Sequence, residues 1–423
     1  MLPSQVTVLV AGGGPAGFMA AITAAEEARS ASVSPDVLVL EATAEPLHKV
    51  LISGGGRCNV THACWDPRAL VGHYPRGGRA LRGPFSRFAT GDAVAWFDRH
   101  GLELVEEADG RMFPRSHRSS SVVETLRRAA ADAGVRLGSG IAVQAATALE
   151  GGGFRVRLRD GRELAADRLV LATGSHPSGL RLAASLGHAL VPPVPSLFTL
   201  RLADHPLAAL AGVVADPVRL ELRTAGSSPT CSRQEGPLLI THWGLSGPAI
   251  LRLTAFAARD LRTSGYRGQL LVDWSGGRSE AELVQTFADQ RREQARRQLA
   301  NARPWPELSR RLWLHLLAAH DVPAELRWAE LPRRGQNQLI AALRASPYAI
   351  AGRGPFGEEF VTAGGVPLGE VNLATMESRR CPGLFLVGEL LDVDGVTGGF
   401  NFQHCWSSGW LAGLALSGCS RTP

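Results

Sequence analysis

Lysine is almost missing from this chain. Among the 45 lysine and arginine residues in 423, only Lys49 is a lysine. A pressure that replaced lysine everywhere else spared this position, which marks it as a place for a compact ammonium on a flexible stem. Cysteine is scarce as well: six residues, at 58, 64, 231, 381, 405 and 419, with no C-x-x-C pair. That spacing fits no zinc template and no disulfide framework, so reduced thiols are expected, and the histidines have no metal-ligand spacing either. No apolar run approaches the roughly 18–20 residues that span a bilayer. The N-terminus has no basic stretch, and its apolar residues are already used by a strand, so neither a membrane anchor nor a signal peptide is expected and the compartment expected is the cytoplasm. Internal repeats and low-complexity tracts are absent.

What is present points to a nucleotide. The length suggests two or three domains. A hydrophobic share of 45% is enough for real cores, and the net charge of +6 fits either attraction of a polyanion or the drift of an arginine-rich genome. Val6 to Val10 is a β-branched run of the kind that forms a buried parallel strand. Gly12-Gly13-Gly14-Pro15-Ala16-Gly17 follows, then an alanine-rich helix predicted over 18–29. G-x-G-x-x-G between a strand and a helix is a dinucleotide fingerprint. Gly12 serves the tight turn, Gly14 lets a pyrophosphate approach the backbone, and Gly17 lets helix and strand pack closely. The phosphates then meet the free N–H groups of the helix N-terminus, Pro15 and Ala16 included. A second strand, 36–40, ends at Glu41-Ala42. A carboxylate there accepts from both ribose hydroxyls and repels a 2′-phosphate, which suits FAD or NAD. No second G-x-G-x-x-G occurs, so a separate NAD(P)H domain is not expected.

Alternation of strand and helix continues through a glycine-rich loop at 53–56, a polar and basic stretch to about 90, helices near 91–100 and 119–133, and a strand over 135–143. A hairpin of 154–158 and 163–172 turns at Arg159-Asp160-Gly161-Arg162 and ends at Ala172-Thr173-Gly174. Val191-Pro192-Pro193-Val194-Pro195 looks like a linker. Beyond it come short strands (197–202, 218–222, 238–241, 269–272), then an arginine-rich helical region, 280–345, with Trp305, Trp313 and Trp328 interleaved as members of a small core. After 350 the parallel-sheet pattern returns, with a strand at 384–387, a glycine-rich turn at 395–399 and a last helix over 401–416. The economical division is an α/β domain of 1–190 plus 351–423, interrupted by an insert of 191–350 with a β part (191–278) and a helical part (279–350).

The run Lys49-Val-Leu-Ile-Ser53-Gly54-Gly55-Gly56-Arg57-Cys58-Asn59-Val-Thr61 carries a specific resemblance. With Asp109–Pro114, Ala172-Thr173-Gly174, Thr241–Pro248, Thr362–Val366 and Gly388–Gly395 through Asn401, it makes the chain resemble the BaiN-like flavoproteins, also labelled aminoacetone oxidase-like. The resemblance runs over nearly the whole chain in order. It implies bound FAD, a Rossmann-type FAD-binding domain with a parallel sheet, of the two-dinucleotide-binding-domain flavoprotein type, and an inserted domain with a β-barrel part and a helical part.

Cofactor contacts are expected from Gly12, Gly14, Pro15, Ala16, Gly17, Glu41, Ala42, Lys49, the Ser53–Asn59 loop, Val143, Ala172, Thr173, Gly174, Gly388, Glu389, Asp392, Gly398, Gly399, Asn401 and Phe402. Ser53 to Asn59 would offer consecutive backbone N–H groups to the pyrophosphate and flavin edge. Lys49 would neutralise a phosphate or the reduced flavin, and Glu389 would accept from the ribitol. The helix near Asn401 would aim its positive end at the flavin edge that gains negative charge on reduction.

Cys58, Cys405 and His242 are the catalytic candidates, as proton donors beside the flavin; His404 is a further possible acid, and His62, just after the cofactor loop, is expected to be exposed. Three activities are open. One is an NAD(P)H-linked reductase of a C=C bond conjugated to a carbonyl, with NAD(P)H a transient donor and a small enone or a uridine of ribosomal RNA as substrate. The others are a flavin amine oxidase using oxygen and a non-catalytic flavin-containing RNA or ribosome binder.

Overall fold

The computed structural model describes residues 2–30, 35–224, 231–354 and 361–418. The chain divides into two compact units, Met1–Pro193 with Thr362–Pro423, and Val194–Val361.

The first unit is built on a nine-stranded sheet. Its parallel core runs, in spatial order, Leu384–Leu386, Glu163–Leu171, Gln5–Ala11, Val37–Leu40 and Arg136–Gly138. Gln5–Ala11, Val37–Leu40 and Leu384–Leu386 are buried nearly throughout, as strands covered on both faces must be, while Arg136–Gly138 at the edge is largely exposed. Val371–Asn372 and Glu377–Ser378 add antiparallel strands at one edge, and Val143–Ala148 with Phe154–Leu158 forms a hairpin layer on Glu163–Leu171. Two helices pack on one another beside the sheet: the first, Pro15–Ser30, and the closing one, Phe400–Leu416. A core of Phe18, Met19, Val50, Val60, Trp96, Phe97, Val122 and Trp406 joins them to the helices Thr90–Arg99 and Ser119–Asp132.

The second unit is a closed six-stranded barrel, in the order Leu200–Leu202, Gly244–Ser246, Cys231–Ile240, Val214–Thr224, Gly268–Asp273, Ser346–Arg353. All six neighbouring pairs in it are antiparallel. Helices Glu280–Glu293, Arg310–Ala319 and Arg333–Ala345 extend its core through Phe287, Trp313 and Trp328.

Several expectations are corrected. The proline-rich 191–195, where the chain passes from one unit to the other, is not irregular but part of a strand, Val191–Ser196, paired with Val361–Gly365. The single strand over 135–143 is two, broken at the turn around Gly140. The polar stretch before 90 contains helix Gly78–Arg87, which buries Leu81 and Phe85 and tolerates Pro84. Helices Pro248–Phe256 and Ala258–Thr263 lie in the region read as strands. Cys419 falls outside the described residues; Cys58, Cys64, Cys381 and Cys405 are free thiols.

Candidate functional site

Strand register assembles the site. Ala11 is level with Leu40 on one side and Leu171 on the other, and Leu171 is level with Leu386. The residues that follow these strand ends therefore emerge at one edge: Gly12–Gly17, Glu41, Ala172–Gly174 and Gly388–Glu389. Ligands of parallel α/β sheets bind outside that carboxyl edge.

The glycines of the fingerprint divide their work. Gly12 has φ +114°, and a Cβ there would lie 2.4 Å from the Ala172 carbonyl oxygen. A Cβ on Gly17 would lie 2.1 Å from the Gly12 oxygen, so helix and strand touch at this point. Gly14 differs: its Cβ would meet only the Ala172 oxygen, at 4.0 Å. The protein leaves that side open, as a backbone approached by a pyrophosphate requires. Glu41 is held in place at this edge: Gly13 N–H donates to Oε2 at 2.8 Å, and Thr43 N–H and Oγ1 donate to Oε1, each at 2.8 Å. Ala42 beside it is exposed, and Val143 is half-buried at the start of its hairpin strand.

The Lys49 motif forms a helix, His48–Gly56, that turns non-helical at Ser53. Gly54, Gly55 and Gly56 have φ of 58°, 66° and 83° in succession, a left-handed run that only glycine adopts readily. Cβ atoms on Gly55 and Gly56 would meet no protein atom within 4 Å. The loop is thus a bare strip of main chain, open to a flat ring. One expectation is corrected here. The amides of Ser53–Asn59 are not all free, because Arg57 N–H donates to Gly54 O and Cys58 N–H to Ser53 O. The Arg57 guanidinium is also committed, to Glu107 at 2.6 Å and to the face of Phe113. Asn59 Oδ1 is buried without a hydrogen-bond partner.

The far end of the chain completes the edge. Lys49 Nζ donates to Glu389 Oε2 at 3.1 Å, and both lie within 4 Å of the position a Gly174 Cβ would take. The Glu389 carboxylate holds the Lys49 ammonium above its ordinary pKa. Asn401 pins the preceding loop, accepting from Gly395 N–H and donating to Gly395 O, while Asp394, fully buried, pairs with Arg76. Gly399 caps the closing helix, and a Cβ there would strike the Thr61 backbone at 2.6 Å. His62 packs 4.7 Å from the Phe400 ring with Nδ1 3.1 Å from Gly398 O; burial holds its pKa below the usual value. Phe402 turns away, stacking on Trp406. Asp392 is half-buried, its N–H donating to Val366 O.

The catalytic candidates separate by environment. Cys58 is fully buried in the apolar core, and burial pushes its thiol up to about 12. Cys405 is buried against Gly388, with its thiol also driven upward by desolvation and then by Glu389. Both positions describe small packed residues more than proton donors. His242 is exposed, in the turn of the barrel unit before Gly244. His404 is buried and donates from Nε2 to Gly388 O at 3.2 Å; its Nδ1 has no partner, and burial lowers its pKa to about 4. The open Gly14, the aimed Glu41, the bare glycine strip and the unpaired Asn59 oxygen fit a dinucleotide carrying a flat ring. Among the described residues no three His, Cys, Asp or Glu side chains gather as metal ligands, and no helix is long and apolar enough to cross a membrane.

A family model described as HI0933-like protein Rossmann domain matches residues 6–415. A 3-dehydro-bile acid delta(4,6)-reductase of Clostridium scindens is 32% identical over 96% of this chain and 98% of its own length. A ribosomal RNA dihydrouridine synthase of Escherichia coli is 29% identical over 96% of this chain and 97% of that protein. In fold, the chain is similar to 3-ketosteroid delta1-dehydrogenase from Sterolibacterium denitrificans, with a TM-score of 0.52 at 12% identity, covering 98% of this chain and 100% of that one.

Proposed function

The chain belongs to the HI0933-like Rossmann family and is an FAD-dependent oxidoreductase; from that premise we propose that it reduces a carbon–carbon double bond conjugated to a carbonyl, with NAD(P)H as donor. The observation that carries the reading is the bile-acid reductase relative, which matches along its whole length. The dihydrouridine synthase relatives agree in chemistry, because uracil also presents a C=C beside a carbonyl.

Bound FAD would supply hydride transfer from NAD(P)H to the carbon β to the substrate carbonyl. The chain's own residues hold and shield. Glu41 accepts from the adenosine ribose, and the amides at the start of the Pro15–Ser30 helix face the pyrophosphate. Glu389, oriented by Lys49, accepts from the ribitol. The open strip Gly55–Gly56 and the N-terminal amides of the closing helix would flank the ring. A proton must reach the carbon α to the carbonyl. Of the three candidate proton donors, Cys58 and Cys405 are buried in the first unit and His242 is an exposed residue of the second.

The test is anaerobic reduction of the yellow protein by NADH and by NADPH, followed at the flavin band. Reoxidation is then compared with a steroid 4-en-3-one, uridine-containing RNA and oxygen in parallel, and aminoacetone is tried as reductant in place of NAD(P)H. Rapid reoxidation by the enone or the RNA, with the saturated product recovered, is expected. Reoxidation by oxygen alone after reduction by an amine would replace the reductase with an oxidase.

A further inference from the structure

The inserted unit carries a basic concavity that the reductase reading does not use. Arg296, Arg297, Arg303, Arg310 and Arg327 line one cavity of about 670 Å³, with Gln298, Ala300 and Asn301 as the other lining residues. No carboxylate lines it. Among the described residues none of these guanidiniums is ion-paired: Arg297 bonds the Gln294 side-chain oxygen, Arg303 the Leu308 carbonyl and Arg310 the Ala300 carbonyl. Elsewhere in the same unit arginines are matched to acids, as Arg219 is to Glu235 and Arg344 to Glu280. Arg310 also opens a helix, where the dipole disfavours a cation. Like charges gathered around a hollow without a counter-charge raise the potential there, and a ligand with several closely spaced anionic groups relieves it.

The scaffold beneath is rigid. Leu299 N–H donates to Leu326 O at 2.8 Å and Trp328 N–H to Arg297 O at 3.1 Å, so the two arginine-bearing segments are zipped together. The indole of Trp313 donates to Leu299 O and that of Trp328 to Ala302 O. Both rings are wholly buried, so they anchor the backbone and offer no face to a base.

We propose that this cavity binds the phosphodiester backbone of a polynucleotide. Five guanidiniums exceed what a single phosphate can engage, and bidentate Arg–phosphate pairing suits a chain of them. The site is concave and shows no large apolar side chain, which sets it apart from a lipid-surface patch. The proposal stands independently of which double bond is reduced, and it would hold if the reductase substrate were a free enone.

The test uses the full-length, FAD-loaded protein and a fluorescein-labelled uridine-rich RNA strand, read by anisotropy across a KCl series. Arg296→Gln, Arg303→Gln and Arg327→Gln combined should weaken binding by about tenfold or more. They should also make the log K against log salt slope shallower by about 2, at roughly 0.7 for each lost contact with a single strand. The charge-matched control combines Arg155→Gln, Arg157→Gln and Arg181→Gln, exposed positions of the other unit, and should leave the slope unchanged. Flavin absorbance and enone reduction report folding in both. Wild-type binding by the first variant, or an equal loss in the control, overturns the proposal. So does displacement of the RNA by tripolyphosphate at matched phosphate concentration, which would assign the cavity to a small polyanion.

Discussion

Gly14 and Gly12 sit two residues apart and respond to a methyl group in opposite ways. At Gly12 the left-handed backbone and the Ala172 carbonyl both oppose a side chain. Gly12→Ala should therefore destabilise the apoprotein by about 1–3 kcal/mol, as overpacking does. At Gly14 the nearest protein atom is 4.0 Å from the would-be Cβ. Gly14→Ala should leave the apoprotein melting temperature unchanged yet weaken FAD binding by about tenfold or more, because the methyl occupies space reserved for pyrophosphate. Flavin fluorescence titration of the apoprotein checks this; undiminished FAD affinity would remove Gly14 from the cofactor site. His404 gives a pH prediction. Its folded pKa of about 4 lies below the ordinary 6.5. Below pH 6.5 the unfolded chain takes up a proton that the folded chain refuses, so stability is full above that value and falls as pH drops toward 4. By pH 5 the loss is about 2 kcal/mol. Urea unfolding at neutral pH and at pH 5 should show His404→Gln losing that much less than the parent chain; equal losses would mean His404 is not held neutral.

At the scale of elements, the contact that closes the first unit is made by small residues. On the closing helix, Cβ atoms at Gly409 and Gly413 would lie 2.5 Å from Ala16 O and 2.6 Å from Ala20 O. Ala16, Ala20 and Ala24 answer from the first helix at a spacing of four, so the two backbones nearly touch. This contact brings residues after 400 to the pyrophosphate turn. Gly413→Val should separate the helices, costing several kcal/mol on the overpacking scale and releasing FAD; Ala415→Val, at a half-exposed position one turn face away, should do neither. Retained flavin and an unchanged melting temperature in Gly413→Val would disprove the close contact. The alanines of the first helix were legible in the sequence, and so were the strand–turn–helix, Glu41 and the hairpin of 154–171, because each depends on local spacing. The glycine face of the closing helix was not, since its meaning lies in a partner nearly 400 residues earlier. The same holds for Lys49 with Glu389, Arg76 with Asp394, and the buried chain Glu370–His188–Ser378, in which His188 lies 2.8 Å from each partner. The strand at 191–196 was masked by its prolines, which a two-stranded ribbon tolerates. The helix at 248–256 was announced only by Gly247-Pro248, a helix-start signal easily lost among strands.

At the scale of the whole molecule, each unit has a core of its own, and among the described residues the two share none. One gathers Phe18, Trp96 and Trp406 in the first unit, and the other gathers the barrel interior with Phe287, Trp313 and Trp328 in the second. The first unit is discontinuous, but its two segments meet where the chain leaves and returns: a Cβ on Gly364 would lie 2.7 Å from Pro192 O. They are also tied far from that point by the parallel pairing of Leu384–Leu386 with Glu163–Leu171 and by the helix contact above. Every residue assigned here to FAD lies in this unit. A chain in which a short Gly/Ser turn joins Pro193 to Thr362 should therefore fold, since the splice links two strands already paired with each other and a shorter closed loop costs less entropy. It should be yellow, retain FAD through gel filtration and unfold in one transition, while losing the arginine concavity and the His242 candidate acid together. Absorption spectroscopy and calorimetry of the spliced chain decide the matter. An insoluble or colourless product would show that the insert stabilises the flavin unit rather than being carried by it, and would move part of the cofactor's binding energy into Val194–Val361.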